Sequence, residues 1–263
     1  MDLGLKGRVA LVAAASRGLG RAIAEALGAE GAALIICARN AEALEAARRG
    51  IIDAGAPRAE AVVADVSTAA GVRRVIDTAL ERMGRVDVLV TNAGGPPTGR
   101  SDAHDWAAWD QATALLLHSA IELTRGVLPG MRSRRWGRII NVTSIAAKQP
   151  VDGLILSNSI RAAVIGYART VANEEAAQGI TVNNLLPGYT RTERVEELAD
   201  ALARAEGVAP SAITGRWESQ IPAGRLGEPR ELAALAAFLA SERASYITGQ
   251  SIAVDGGWIK NLL

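Results

Sequence analysis

The segment Ala13-Ala14-Ala15-Ser16-Arg17-Gly18-Leu19-Gly20 sets small residues between an apolar run and an alanine-rich stretch. A tight turn from a strand into a helix N-terminus leaves backbone N–H groups, and the positive end of the helix dipole, able to hold a pyrophosphate. Gly18 would let the backbone approach the phosphates closely. Gly20 would let the helix pack against its strand. A glycine after a strand is by itself only a turn signal, so the reading depends on what surrounds it. The next apolar run ends Cys37-Ala38-Arg39-Asn40. An acid there would hydrogen-bond a ribose 2′-OH; this chain has none. Arg39 and Arg17 instead offer guanidiniums, which grip a phosphate in a bidentate, charge-assisted way. The chemistry expected is NADP(H) binding in preference to NAD(H), the alternative being two solvated arginines.

Positioning such a loop requires a strand before it and a helix after it. Short apolar runs predict strands at Val9–Ala13, Ala33–Ala38, Ala61–Ala64, Val86–Thr91, Gly137–Val142, Thr181–Leu186 and Ser251–Val254. Most are continuously apolar, as parallel strands buried on both faces are. Between them lie alanine-rich segments with helical spacing, such as Leu19–Ala29, Ala41–Asp53 and Gly71–Met83. This alternation predicts an α/β fold: a doubly wound, Rossmann-type, seven-stranded parallel sheet with helices on both faces. No Gly/Ser/Pro linker divides the chain, so residues 1–263 are read as a single domain. The charged, strandless stretch 191–220 follows a strand end. It is expected to fold over the carboxyl edge of the sheet as a substrate lid, where open α/β sheets bind ligands; a plain surface helix pair is the alternative.

Composition narrows the class. Hydrophobic residues make up 49% and charged residues 22% of the chain, a globular balance. A net charge of +1, with no interleaving of basic and aromatic residues, argues against a nucleic-acid partner. The run Arg132-Ser133-Arg134-Arg135 reads as a solvated helix end. Cys37, the single cysteine, sits in an apolar run and reads as inert core. No apolar stretch reaches the ~20 residues of a membrane helix, and the N-terminus lacks a signal-peptide layout. The expectation is a cytoplasmic protein with no membrane partner. No His/Cys/Asp/Glu grouping has metal-ligand spacing, so no metal is expected.

Further along the chain come Asp65-Val66, Asn92-Ala93-Gly94, Pro187-Gly188 with Thr190 and Thr192, and Tyr246-Ile247-Thr248-Gly249-Gln250 through Val254-Asp255-Gly256-Gly257. Their order and spacing resemble the short-chain dehydrogenase/reductase family over nearly the whole chain, with greatest similarity to its 3-oxoacyl-(acyl-carrier-protein) reductase-like branch. The resemblance implies that Asp65 hydrogen-bonds an adenine. It implies that Asn92, Ala93 and Gly94 close the fourth strand beside the cofactor. The segment holding Pro187, Gly188, Thr190 and Thr192 would meet the nicotinamide carboxamide and the phosphates. It also implies a small-molecule carbonyl/alcohol substrate and a homotetramer. The family's glycine loop is Gly-x-x-x-Gly-x-Gly, and Ala14 stands at its first glycine. Alanine serves there if its φ is negative.

The same resemblance locates the catalytic positions and shows a departure. The family uses Asn, Ser, Tyr and Lys. Ser144, at the end of the fifth strand, matches the serine. The tyrosine position holds Ser157, the lysine position Arg161 and the asparagine position Leu116. Ser157 and Arg161, four residues apart on a helix, share one face. An unactivated serine is a far weaker acid than a phenol. Arginine cannot relay a proton, yet its fixed charge can stabilise an oxyanion. The expectation is carbonyl/alcohol oxidoreduction through a modified proton relay by Ser144, Ser157 and Arg161. Lys148 and Tyr189 are substitute proton donors to consider. The alternative is a non-catalytic NADP(H)-binding sensor or oligomer subunit.

Overall fold

The apolar runs pair into one all-parallel sheet. In the computed structural model, which describes residues 2–261, the strands are β1 (Val9–Ala13), β2 (Ala33–Ala38), β3 (Ala59–Val63), β4 (Val88–Thr91), β5 (Gly137–Val142), β6 (Ile180–Pro187) and β7 (Ser251–Val254). They form a seven-stranded sheet in the order β3-β2-β1-β4-β5-β6-β7. The ends of the expected 1–263 domain, Met1, Leu262 and Leu263, lie outside the described residues. The helices are α1 (Gly18–Ala29), α2 (Ala41–Asp53), α3 (Ala69–Met83), α4 (Trp106–Thr113), α5 (Ser119–Arg134), α6 (Ile155–Glu175), α7 (Glu193–Glu206), α8 (Pro210–Gln220) and α9 (Pro229–Ala240). A π-helical turn, Ala114–His118, joins α4 to α5.

Alternation along each buried strand feeds two cores. Ala10, Val12, Leu34 and Ile36 face one cluster with α1, α2 and α9. Leu11, Ala13, Ile35 and Cys37 face the other with α3, α5 and α6. Burial pushes the Cys37 thiol up to about 12, so it is an inert thiol at neutral pH. The strand order reverses between β1 and β4, and the loops leaving those strands flank that point.

Three strands depart from their expected bounds, β3 also ending at Val63 rather than Ala64. β3 begins at Ala59, two residues before the predicted start, because Glu60 sits on an edge strand and faces Arg58 and Arg82. β4 begins at Val88 rather than Val86. Asp87 is wholly buried and turns its carboxylate to the Val9 N–H at 2.9 Å and to Arg85 at 3.0 Å. β6 extends one residue further at each end than predicted. The basic run at the end of α5 is also more anchored than a solvated end. Arg132 pairs with Glu175, Arg134 donates to the Val86 carbonyl at 2.7 Å, and Arg135 donates to the Ala177 carbonyl at 2.9 Å.

One row of polar side chains crosses the sheet in register. Thr91 of β4 stands opposite Asn141 of β5, which stands opposite Asn184 of β6, which stands opposite Ser251 of β7. Thr91 Oγ1 donates to Asn141 Oδ1 at 2.7 Å, Asn141 Nδ2 to Asn184 Oδ1 at 3.0 Å, and Asn184 Nδ2 to Ser251 Oγ at 3.1 Å. A slip of one residue would turn these buried amides to the wrong face and leave them unpaired, so the row fixes the register.

The stretch 191–220 folds as α7 and α8, packed together through Ala199, Ala203, Ile213 and Trp217. Thr192 caps α7, accepting from the Val195 N–H. Gly207, in the left-handed region at φ +68°, ends it.

Candidate active site

The glycine loop leaves β1 and enters α1 as its residue types dictate, with one surprise. Gly18 takes φ +57°. A Cβ on Gly20 would stand 2.4 Å from the Ala14 carbonyl oxygen and 2.7 Å from Asn92 Nδ2, so only glycine fits. Ala14 does not take the negative φ expected of an alanine. It sits at φ +48°, holding the turn that a glycine would hold, at a cost of about 1–2 kcal/mol. Asn92 Nδ2, from the loop after β4, donates to the Ala14 carbonyl at 3.3 Å and ties the two loops together. The first turn of α1 contains no acidic residue, and its N-cap, Arg17, makes no side-chain cap. An anion there would meet uncapped N–H groups, so the loop fits a dinucleotide pyrophosphate.

The remaining predicted cofactor residues fall along the same carboxyl edge. Arg39 is exposed just beyond β2. Asp65, just past β3, accepts from the Ser67 N–H at 3.0 Å and the Ser67 hydroxyl at 2.7 Å. Burial alone would raise its pKa; the Ser67 hydrogen bonds and the Arg39 charge outweigh that and leave it below the ordinary value. Val66 is buried beside it. Ala93 lies with Asn92 against a small cavity, and Gly94 is exposed in the same loop. Gly188 donates its N–H to the Val254 carbonyl at 3.0 Å, and Thr190 Oγ1 donates to the Gly188 carbonyl at 3.2 Å. Ser16 and Leu19 are half-buried in the glycine loop. Arg17 is exposed, but not free: its guanidinium pairs with Glu193 at 3.5 Å and Glu197 at 3.3 Å, both on α7. Sequence reasoning missed these two partners. Their spacing of four residues, just after a capping threonine, predicts one acidic helix face without saying what that face meets.

The catalytic positions converge at the end of β5 and the start of α6. Ser144 begins a short 3₁₀ turn, and its Oγ accepts from the Ala146 N–H at 3.1 Å. Ser157 and Arg161, both about 9% exposed, lie one turn apart on α6. Arg161 Nε donates to Ser157 Oγ at 3.1 Å, while Nη1 donates to the carbonyls of Val142 at 3.2 Å and Thr143 at 2.8 Å. No carboxylate is within ion-pair reach of this buried cation among the described residues. Burial pushes its pKa down to about 10, so it stays protonated at neutral pH. Arg161 also lines a cavity of about 10 Å³, room for one water, together with Thr91, Asn92, Leu116, Ser119 and Thr143.

Neither substitute donor hydrogen-bonds to Ser157 or Arg161 among the described residues. Lys148 caps the 3₁₀ turn with its side chain exposed. Tyr189 stacks on Trp217 with centroids 4.8 Å apart and meets Trp258 edge-on at 6.3 Å. Burial pushes its phenol up, away from easy proton release. It serves to seat α8 on the loop after β6. Among the described residues no group of three or more His, Cys, Asp or Glu could hold a metal ion, and no helix is long and apolar enough to cross a membrane.

A seven-stranded parallel sheet with this edge defines a dinucleotide-binding, Rossmann-type architecture. The chain belongs to the short-chain dehydrogenase/reductase family: the family model described as Enoyl-(Acyl carrier protein) reductase matches residues 13–259. It is 36% identical over 255 residues to the 3-oxoacyl-(acyl-carrier-protein) reductase FabG of Vibrio cholerae, covering 97% of this chain and 98% of that one. FabG of Escherichia coli is 34% identical over the same length, covering 97% and 98%. Among solved structures, L-sorbose reductase from Gluconobacter frateurii, complexed with NADPH and L-sorbose, superposes with a TM-score of 0.95 at 35% identity, covering 100% of both chains.

Proposed function

We propose that this protein is an NADP(H)-dependent oxidoreductase interconverting a carbonyl and an alcohol, with 3-oxoacyl thioesters as the first substrate class. Relatives named as NADPH complexes and 3-oxoacyl reductases support the cofactor and the substrate class. The observation that carries the chemistry is the Arg161–Ser157 hydrogen bond. Because Ser157 Oγ accepts from a guanidinium, its own proton is free to be donated, with a fixed positive charge behind it. Bound NADPH would supply the hydride. Ser144 and Ser157 donate to the carbonyl oxygen, and Arg161 stabilises the negative charge that develops there. The Ser157 proton then passes to the alkoxide and is replaced from solvent. Lacking a phenol, the site works slowly, by about 10²–10⁴-fold relative to a tuned general acid. The reading includes a cytoplasmic homotetramer and a lid formed by 191–220, whose place after β6 supports it.

A second reading, a non-catalytic NADP(H) sensor, is favoured by one observation: among the described residues the side-chain hydrogen bond to Ser157 Oγ comes from Arg161, which cannot relay a proton. A fluorescence titration with NADPH, using NADH as control, followed by turnover on 3-oxoacyl thioesters and small ketones, separates the two. Tight NADPH binding with turnover supports the oxidoreductase. Binding without turnover on any of them supports the sensor. Binding of neither nucleotide overturns both.

A further inference from the structure

We infer that Glu193 and Glu197 set cofactor affinity and selectivity by latching Arg17, so that a 2′-phosphate has to displace them. This rests on the reading of Arg17 as a phosphate ligand. The two glutamates lie one turn apart at the start of α7, on the same face, and both turn to Arg17: Nε to Glu193 at 3.5 Å and Nη1 to Glu197 at 3.3 Å. The same first turn also reaches the opposite wall of the cleft. Arg194 Nη2 donates to the Pro96 carbonyl at 3.5 Å, and its guanidinium lies 3.4 Å from where a Gly95 Cβ would stand. Between them, the Thr192 methyl lies 3.7 Å from where a Gly18 Cβ would stand. The start of α7 therefore spans from the loop after β1 to the loop after β4, the two loops flanking the point of strand reversal.

A ligand seated at that point meets this strap. Its 2′-phosphate and the two carboxylates are anions that compete for one guanidinium. The Arg17, Glu193 and Glu197 side chains are 59%, 56% and 52% exposed, and exposed pairs are individually weak. The latch therefore tempers affinity without abolishing binding. NADH, without a 2′-phosphate, makes no claim on Arg17, so the latch narrows the preference for NADPH.

Fluorescence titration of the full chain with NADPH and NADH tests this on the wild type, Glu193→Gln/Glu197→Gln and Arg17→Ala. Loss of the two carboxylates is expected to tighten NADPH by about three- to tenfold and leave NADH unchanged. It should also steepen the salt dependence of NADPH binding, because the wild type exchanges one ion pair for another. Unchanged or weaker NADPH binding by the double glutamine variant, with Arg17→Ala also weakened, overturns the latch. Equal NADPH affinity in Arg17→Ala and wild type removes Arg17 as a phosphate ligand, and the latch with it. The substituted carboxylates are exposed, and a circular dichroism melt checks that the variants fold.

Discussion

Residue 157 offers a hydroxyl and residue 161 a guanidinium at the positions where the family resemblance implies a phenol and an ammonium. In the proposed mechanism Ser157 donates the proton and Arg161 keeps its charge near neutrality. Ser144→Ala and Ser157→Ala are each expected to lower kcat/KM by about 10²-fold while leaving the NADPH dissociation constant unchanged, as steady-state kinetics and titration together would read. Arg161, pushed down only to about 10, keeps its charge through the neutral range. Turnover should therefore be flat from about pH 6 to about pH 9, where a tuned phenol or ammonium would bend it. An inflection inside that window would point to a donor other than Ser157. Ala14 invites a third substitution. Ala14→Gly relieves the alanine of a left-handed φ and should raise Tm by about 2–4 °C, with NADPH binding undiminished.

Elements show where sequence reading succeeds and where it stops. β1, β2, β5 and β7 were legible to the residue, β1 and β2 because their runs are continuously apolar, β5 and β7 because short apolar stretches dominate them. β3 and β4 were misjudged at Glu60 and Asp87, whose carboxylates are met by Arg82 and by the Val9 N–H, partners that only the fold brings near. The Arg132–Glu175 fork between the ends of α5 and α6 was invisible for the same reason: its partners are 43 residues apart. The hydrogen bonds from Arg132 hold the Glu175 carboxyl below its ordinary value despite burial. A carboxylate whose folded pKa is depressed adds stability above its unfolded pKa and loses it as pH falls through the folded one. Glu175→Gln should lower Tm at neutral pH, and thermal melts of variant and wild type should converge as pH drops below about 4. In the candidate site, the glycine loop between β1 and α1, Ser144 after β5, and Ser157 and Arg161 on α6 take the places in the fold that the sequence alone predicts for them. That Arg161 would bond to the Val142 and Thr143 carbonyls, and that Arg17 would face α7, needed the folded chain.

For the whole molecule, the tetramer rests on family resemblance, and multi-angle light scattering checks it directly: about four times 27.3 kDa is expected, and a monomer would remove it. The polar row across β4, β5, β6 and β7 has an electrical side. A parallel sheet's backbone contributes little net dipole across its strands. Here the side chains break that balance, because every donor in the row points the same way, from Thr91 toward Ser251. Two carboxamides thus stack head to tail, with their oxygen ends directed at Thr91 and their amide hydrogens at the sheet edge. Thr91 lines the same small cavity as Arg161. The aligned amide array therefore turns its oxygen ends toward the cavity lined by Arg161, a buried cation with no carboxylate within ion-pair reach among the described residues.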